Sequence, residues 1–112
     1  MNNSITADLL ASLKEGSKIW FEEEKQGYTI QARSDNFIVC SKPFNLKKTV
    51  LYTIIDIKKN IRGPESLIFG FGAETKEQCQ EMIARLESGK TEVSYRRNIP
   101  LKIYDVKVKY GN

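Results

Sequence analysis

The sequence predicts an α+β protein: a mostly antiparallel curved sheet or partly open small β-barrel packed by one amphipathic helix, plus a short N-terminal helix. Three observations carry that prediction. Apolar and polar residues alternate in short segments separated by turn chemistry, as in YTIQAR (28–33) and FIVCSK (37–42). One longer segment, TKEQCQEMIARLESG (75–89), repeats its apolar residues at helical spacing instead. The connections are mostly of turn length, which suits antiparallel pairing.

The elements follow in chain order. SITADLLASLKEG (4–16) reads as a short helix capped by Thr6 and closed by Gly16 in the left-handed conformation. Asp8 suits its positive end, Ile5 and Leu10 match a hydrophobic staple, and Leu9, Leu10 and Leu13 form the apolar stripe. Such a helix is only about two and a half turns long and needs docking to persist. It is the one element with freedom to stand apart from a body spanning 17–112, the whole chain forming one domain of ordinary size.

Lys18 to Phe21 suits a short strand, and the acidic run Glu22 to Glu24 with Gly27 makes a solvated turn. In the next strand Tyr28, Ile30 and Ala32 are expected on one face and Thr29, Gln31 and Arg33 on the other. Ser34-Asp35-Asn36 turns the chain into FIVCSK, and Pro43 is expected to end that hairpin. TVLYTIIDI (49–57) is apolar on both faces and reads as a central strand. Lys58, Lys59, Asn60 and Gly63-Pro64 mark turns, and SLIFGFG (66–72) reads as a strand weakened by Gly70 and Gly72.

The helix of about 75–88 has capping-box spacing at Thr75 and Gln78 and a stripe of Cys79, Met82, Ile83 and Leu86. Gly89 supplies its stop. TEVSYRRNIPLKIYDVKVKY (91–110) gives a short strand, an interruption at Pro100 and a long alternating strand. There Tyr104, Val106, Val108 and Tyr110 are expected on one face, opposite Asp105, Lys107 and Lys109.

Composition narrows the chemistry. The 112 residues are 40% hydrophobic and 29% charged, ordinary values for a soluble globular protein. No apolar run approaches the roughly 20 residues of a membrane span, and a cytoplasmic location is expected. There is no histidine, which removes the Ser-His and Cys-His nucleophile pairs and the commonest near-neutral base and zinc ligand. Cys40 and Cys79 lack CxxC spacing and are expected to be buried free thiols. No cofactor is called for, and the chain is expected not to be an enzyme.

The net charge of +4 lies wholly in the second half. Residues 1–56 carry seven cations and seven anions; residues 57–112 carry eleven and seven. DIKKNIRGPESLIFGFG (56–72) looks at first like a phosphate-gripping loop. Its glycines lack P-loop spacing and no Lys-Ser/Thr follows, so a plain basic turn is favoured. Asp56, closing an apolar strand, is expected to find a cation or backbone donors. Lys47, Lys48, Lys58, Lys59, Arg62, Arg96 and Arg97 all fall near expected turns, with Tyr95 beside them. Together they are candidates for one positive rim with a stackable ring, able to hold a partner or a polyanion. Arg96 and Arg97 are the leading candidates, because two guanidiniums on one turn can grip phosphate or carboxylate.

The blocks IWFEEEKQGYTIQARSDNFIVCSKPFN (19–45), TVLYTIIDIKKNIRGPESLIFGFG (49–72) and EVSYRRNIPL (92–101) resemble a family of small proteins of phages and mobile elements of Gram-positive bacteria. The shared features are a Trp-Phe opening, a CxKPFN-like turn at Cys40 to Asn45, the VLYTIID…IRG strand and turn, and the R-x-x-I-P-L motif at Arg96 to Leu101. The resemblance covers roughly residues 19–103 and brings no assigned chemistry. It implies a phage or prophage accessory protein. By analogy, the expected function is stoichiometric binding and inhibition of a host protein or ribonucleoprotein, with an anti-defence or anti-CRISPR role in view. Two alternatives stand beside it: a nucleic-acid-binding module using the basic rim, and a protein that sequesters a small nucleotide signal.

Overall fold

The computed structural model describes residues 9–21, 25–44, 49–63, 75–89, 99–100 and 103–107. Among these residues, seven strands form one antiparallel sheet: β1 (Lys18–Phe21), β2 (Tyr28–Arg33), β3 (Phe37–Phe44), β4 (Thr49–Asp56), β5 (Ile61–Arg62), β6 (Ile99–Pro100) and β7 (Ile103–Lys107). Residues 9–12 form a helical turn, α1, and α2 (Lys76–Ser88) lies between β5 and β6.

The strand order is β6-β5-β4-β3-β2-β1-β7. The two edges of that list are consecutive in the chain. Pro100 and Ile103 are three peptide steps apart, so their Cα atoms lie within about 10 Å of each other. A flat sheet of this order would hold them far apart, since neighbouring strands are spaced by about 4.8 Å. The sheet therefore curls. β6 and β7 are two segments of one passage of chain, pairing β5 at one seam and β1 at the other. The result is a curled six-strand half-barrel with two helices, an α+β fold.

The sheet has two apolar faces. The inner core holds Ile19, Phe21, Tyr28, Ile30, Ile38, Cys40 and Ile55, joined by Leu10 of α1 and Leu13 just after it, both fully buried. The leading helix therefore does not stand apart. Gly16 takes φ 92°, its N–H donates to Ile30 O at 2.9 Å, and the chain passes directly into the β1–β2 pairing. Arg33 secures the other side, donating from Nη1 to the carbonyls of Leu10 and Leu13, the latter at 2.8 Å. A cation on the last carbonyls of a helix satisfies acceptors that have no partner within it.

The outer core lies between the sheet and α2. Cys79, Met82, Ile83 and Leu86 pack on Ala32, Val39, Tyr52 and Ile54. Thr75 Oγ1 accepts from Gln78 N–H, and Gln78 Oε1 accepts from Thr75 N–H, each at 3.1 Å. Gly89 closes the helix at φ 79°. The stripe, the capping box and the stop all fall where the spacing predicts. β4 is buried along residues 51–56, as a strand covered on both sides must be. Cys40 and Cys79 are buried, not joined by a disulfide, and in cores on opposite faces of the sheet.

Three expectations about the strands change. Pro43 does not end β3; it lies within it, in register with Val50. β2 begins at Tyr28, and its pairing with β3 reaches only Ser41, so the side where Pro43 lacks an N–H has no β2 partner there. Ala32 does not share a face with Tyr28 and Ile30. Ile30 pairs with Cys40 and Ala32 with Val39, a β-bulge that turns Ala32 to the outer core. Tyr104 and Val106 do not share a face in simple alternation either. Trp20 pairs with Asp105 and Phe21 with Ile103, so Tyr104 is skipped by a second bulge. Ile103 and Val106 then both pack on the inner core, although they are three residues apart.

The Thr6 cap, Asp8, the Ile5 staple, the Glu22–Glu24 turn, the SLIFGFG strand, the TEVSY segment, Val108 and Tyr110 lie outside the described residues.

Candidate functional site

The basic rim separates into parts. Lys58 and Lys59 are exposed on the β4–β5 turn, residues 57–60. Asp56 Oδ1 accepts from Lys59 N–H at 3.1 Å, Asn60 N–H donates to Ile57 O at 3.2 Å, and Asn60 takes φ 59°. Asparagine tolerates that left-handed conformation better than most residues. The local backbone donor expected for Asp56 is present. Residues 56–63 thus form a hairpin turn and its return strand; residues 64–72 of the same stretch lie outside the described residues.

Arg62 does not reach the rim. It is 5% exposed and pairs in register with Ile55, whose side chain is in the inner core. Its guanidinium carbon lies 4.2 Å from the centroid of the Phe21 ring and 6.0 Å from that of Tyr28. Those rings meet edge to face at 5.4 Å. Arg62 is therefore part of the core, stacked on aromatic faces. Two residues between a turn and Gly63-Pro64 are too few to display a period, so the sequence does not reveal which way Arg62 points.

Lys47 and Lys48 lie outside the described residues, as do Tyr95, Arg96 and Arg97. The residues that flank Lys47 and Lys48 are informative. Phe44 and Thr49 pair at one end of the β3–β4 hairpin, whereas Phe37 and Asp56, next to the Lys58–Lys59 turn, pair at the other. Eight-residue strands separate those ends by roughly 23 Å. The Lys58–Lys59 turn thus lies at the end of these strands away from Phe44 and Thr49.

The end that carries Lys58 and Lys59 also carries an anion. Ser34 Oγ and Asn36 Nδ2 donate to the Glu87 carboxylate at the end of α2, the Asn36 bonds being 3.1 and 3.2 Å. These bonds, Ser34 first, hold the carboxyl below its usual range, and nearby Lys58 adds to the effect. Ile57 N–H donates to Asn36 O at 2.9 Å and joins the two turns. This end of the barrel is a mixed-charge junction, which weakens its draw on a polyanion.

A surface absent from the expected rim has the more coherent chemistry. Ile19 and Phe21 point into the barrel, so Lys18 and Trp20 point outward. Lys18 pairs with Lys107 and Trp20 with Asp105. Tyr104, at the bulge, is 67% exposed. The sequence carries one signal for it: Ile103 and Val106 are both apolar at a spacing of three, which regular alternation does not produce.

The helix start also offers little to an anion, because Thr75 already occupies the Gln78 N–H. Burial pushes the Cys79 thiol up to about 11, away from the thiolate needed for nucleophilic work. No helix among the described residues is long and apolar enough to cross a membrane. No family model, curated protein or solved structure matches this chain.

Proposed function

We propose that the chain is a non-catalytic binding module that acts by stoichiometric association with a host protein or ribonucleoprotein and blocks its action. The resemblance to phage and mobile-element proteins supplies the setting, an accessory protein working in the host cytoplasm against a host defence. The observation that carries the reading is the state of the barrel interior. Phe21, Tyr28, Leu10, Leu13, Ile30, Ile38 and Ile55 fill it, and Arg62 lies across its aromatic rings. A small barrel packed in this way acts through its outside. The same packing counts against a sequestered small nucleotide, which needs a concave site burying most of its surface.

The test is affinity capture from host lysate with the tagged chain, followed by quantification of each co-eluting component. A host protein or ribonucleoprotein recovered at fixed stoichiometry, and inhibited when the chain is added back, is the expected result. Sustained substrate turnover by the purified chain, or capture of nothing at fixed stoichiometry, overturns the reading.

A further inference from the structure

The outer face of β1 and β7 combines two features that do not serve folding. Lys18 and Lys107 are register partners, both exposed, and like charges directly opposite one another on a sheet are destabilising. Among the described residues neither forms an ion pair. The β7 bulge leaves Tyr104 67% exposed while its neighbours Ile103 and Val106 go to the core. One exposed ring alone needs no explanation. Here it stands three residues, about 10 Å, along a strand from a pair of cations, on a sheet rather than a loop. Trp20, half-buried on the same outer face, lies against Gly27; a Cβ at Gly27 would stand 2.7 Å from its indole. Asp105 is the one carboxylate on these two strands, and its Oδ1 accepts from Val106 N–H at 2.8 Å.

We infer that this face binds single-stranded nucleic acid, with Tyr104 stacking a base and Lys18 and Lys107 holding the adjoining phosphates. The lysine pair calls for anionic groups arriving close together, as on a phosphodiester backbone. The ring calls for a flat partner, and a single strand presents unstacked bases where a duplex does not. The inference is independent of the host-factor reading: that one is tested by capture from lysate, this one by direct binding of oligonucleotide to the purified chain.

The experiment is fluorescence polarisation of labelled oligo(dT) and oligo(U) against the full chain across a salt series. Binding at low ionic strength is expected, with log K falling against log salt at a slope of about −1.4, near −0.7 for each of two phosphates. Tyr104→Ala is expected to weaken binding about tenfold, while Tyr104→Phe, which keeps the ring, holds it. Lys18→Gln with Lys107→Gln is expected to weaken binding and flatten the salt slope. The same pair of changes should raise the melting temperature by about 1–3 °C, because a repulsion is removed. Lys58→Gln with Lys59→Gln is expected to change nothing. Three results each overturn the proposal: no binding at low ionic strength; loss with the Lys58/Lys59 pair but not with Tyr104→Ala; or displacement of the oligonucleotide by polyglutamate at equal charge, which marks a surface for acidic protein.

Discussion

Arg62 is a cation inside an aromatic core, and the interior depends on its bulk as much as on its charge. The guanidinium lies over Phe21 and near Tyr28, while the side chain as a whole is buried. A desolvated cation–π contact contributes about 2 kcal/mol or more, and the methylene stem adds packing. Arg62→Ala should therefore lower stability by about 2–3 kcal/mol, read as a shift of the urea midpoint. Arg62→Met keeps most of the volume without the charge and should cost only about 1 kcal/mol, since replacing a buried charge by a hydrophobe of like size is often mild. An unchanged midpoint for Arg62→Ala rules out the buried placement. Gly27 makes a second residue-scale case. A Cβ there meets three indole atoms of Trp20 at 2.7, 2.9 and 3.0 Å. Gly27→Ala should cost about 1 kcal/mol through overpacking and red-shift the emission of this sole tryptophan as the ring moves into water. Emission identical to that of the parent chain contradicts the contact.

At the scale of elements, the β2–β3 turn and the end of α2 are joined by one carboxylate. Ser34 and Asn36 both donate to Glu87, and these bonds hold its folded pKa below the ordinary 4.5. A depressed folded pKa gives stabilisation that is present above the unfolded value and lost as pH falls through the folded one. Acidification below about 4.5 should therefore loosen this junction, and Glu87→Gln should reduce the acid sensitivity of unfolding. Parallel pH–stability curves for the two chains contradict this. Local regularity also decides how much of each element is legible in the sequence. α2 is written out in full, because its stripe, capping box and Gly89 stop all lie within fifteen adjacent letters. β4 is equally plain from apolar residues on both faces. The bulge at Gln31 is not, since it depends on the register of a neighbouring strand that local alternation cannot report, and the one at Tyr104 leaves only the spacing of Ile103 and Val106 as a sign. Both errors moved side chains to the wrong face: Ala32 in the core, and Tyr104 at the surface where binding is inferred. Of the expected rim, Arg62 turns into the core and Lys58 stands near Glu87, because nearness to a turn does not say which way a side chain points.

At the scale of the whole molecule, the last strand passage closes the sheet through two unequal seams. At one, Lys18 to Phe21 meets Lys107 to Ile103 through four register pairs, with Ile103 and Val106 anchored in the inner core. At the other, among the described residues, β5 and β6 meet through two pairs, Ile61 with Pro100 and Arg62 with Ile99. Proline donates nothing to that second seam. The β1–β7 seam also joins residues nearly ninety positions apart, so its loop-closure cost falls on the global folding step, where slow nonlocal pairing is expected. Amides that open only with the whole structure exchange at the global free energy, and those at weak seams exchange through local opening. Native-state hydrogen exchange should therefore find the amides of Trp20 and Asp105, register partners across the first seam, among the slowest in the chain, with those of Arg62 and Ile99 across the second exchanging faster. The gap should narrow as denaturant brings global unfolding within reach, because the steeper denaturant dependence belongs to the opening that exposes more surface. If Arg62 and Trp20 exchange at one rate with one denaturant slope, the seams are equivalent and the barrel opens as a single unit. If Trp20 and Asp105 exchange first, the β1–β7 seam is the weak one, and a surface that needs Tyr104 and Lys107 held beside Lys18 loses its rigid base.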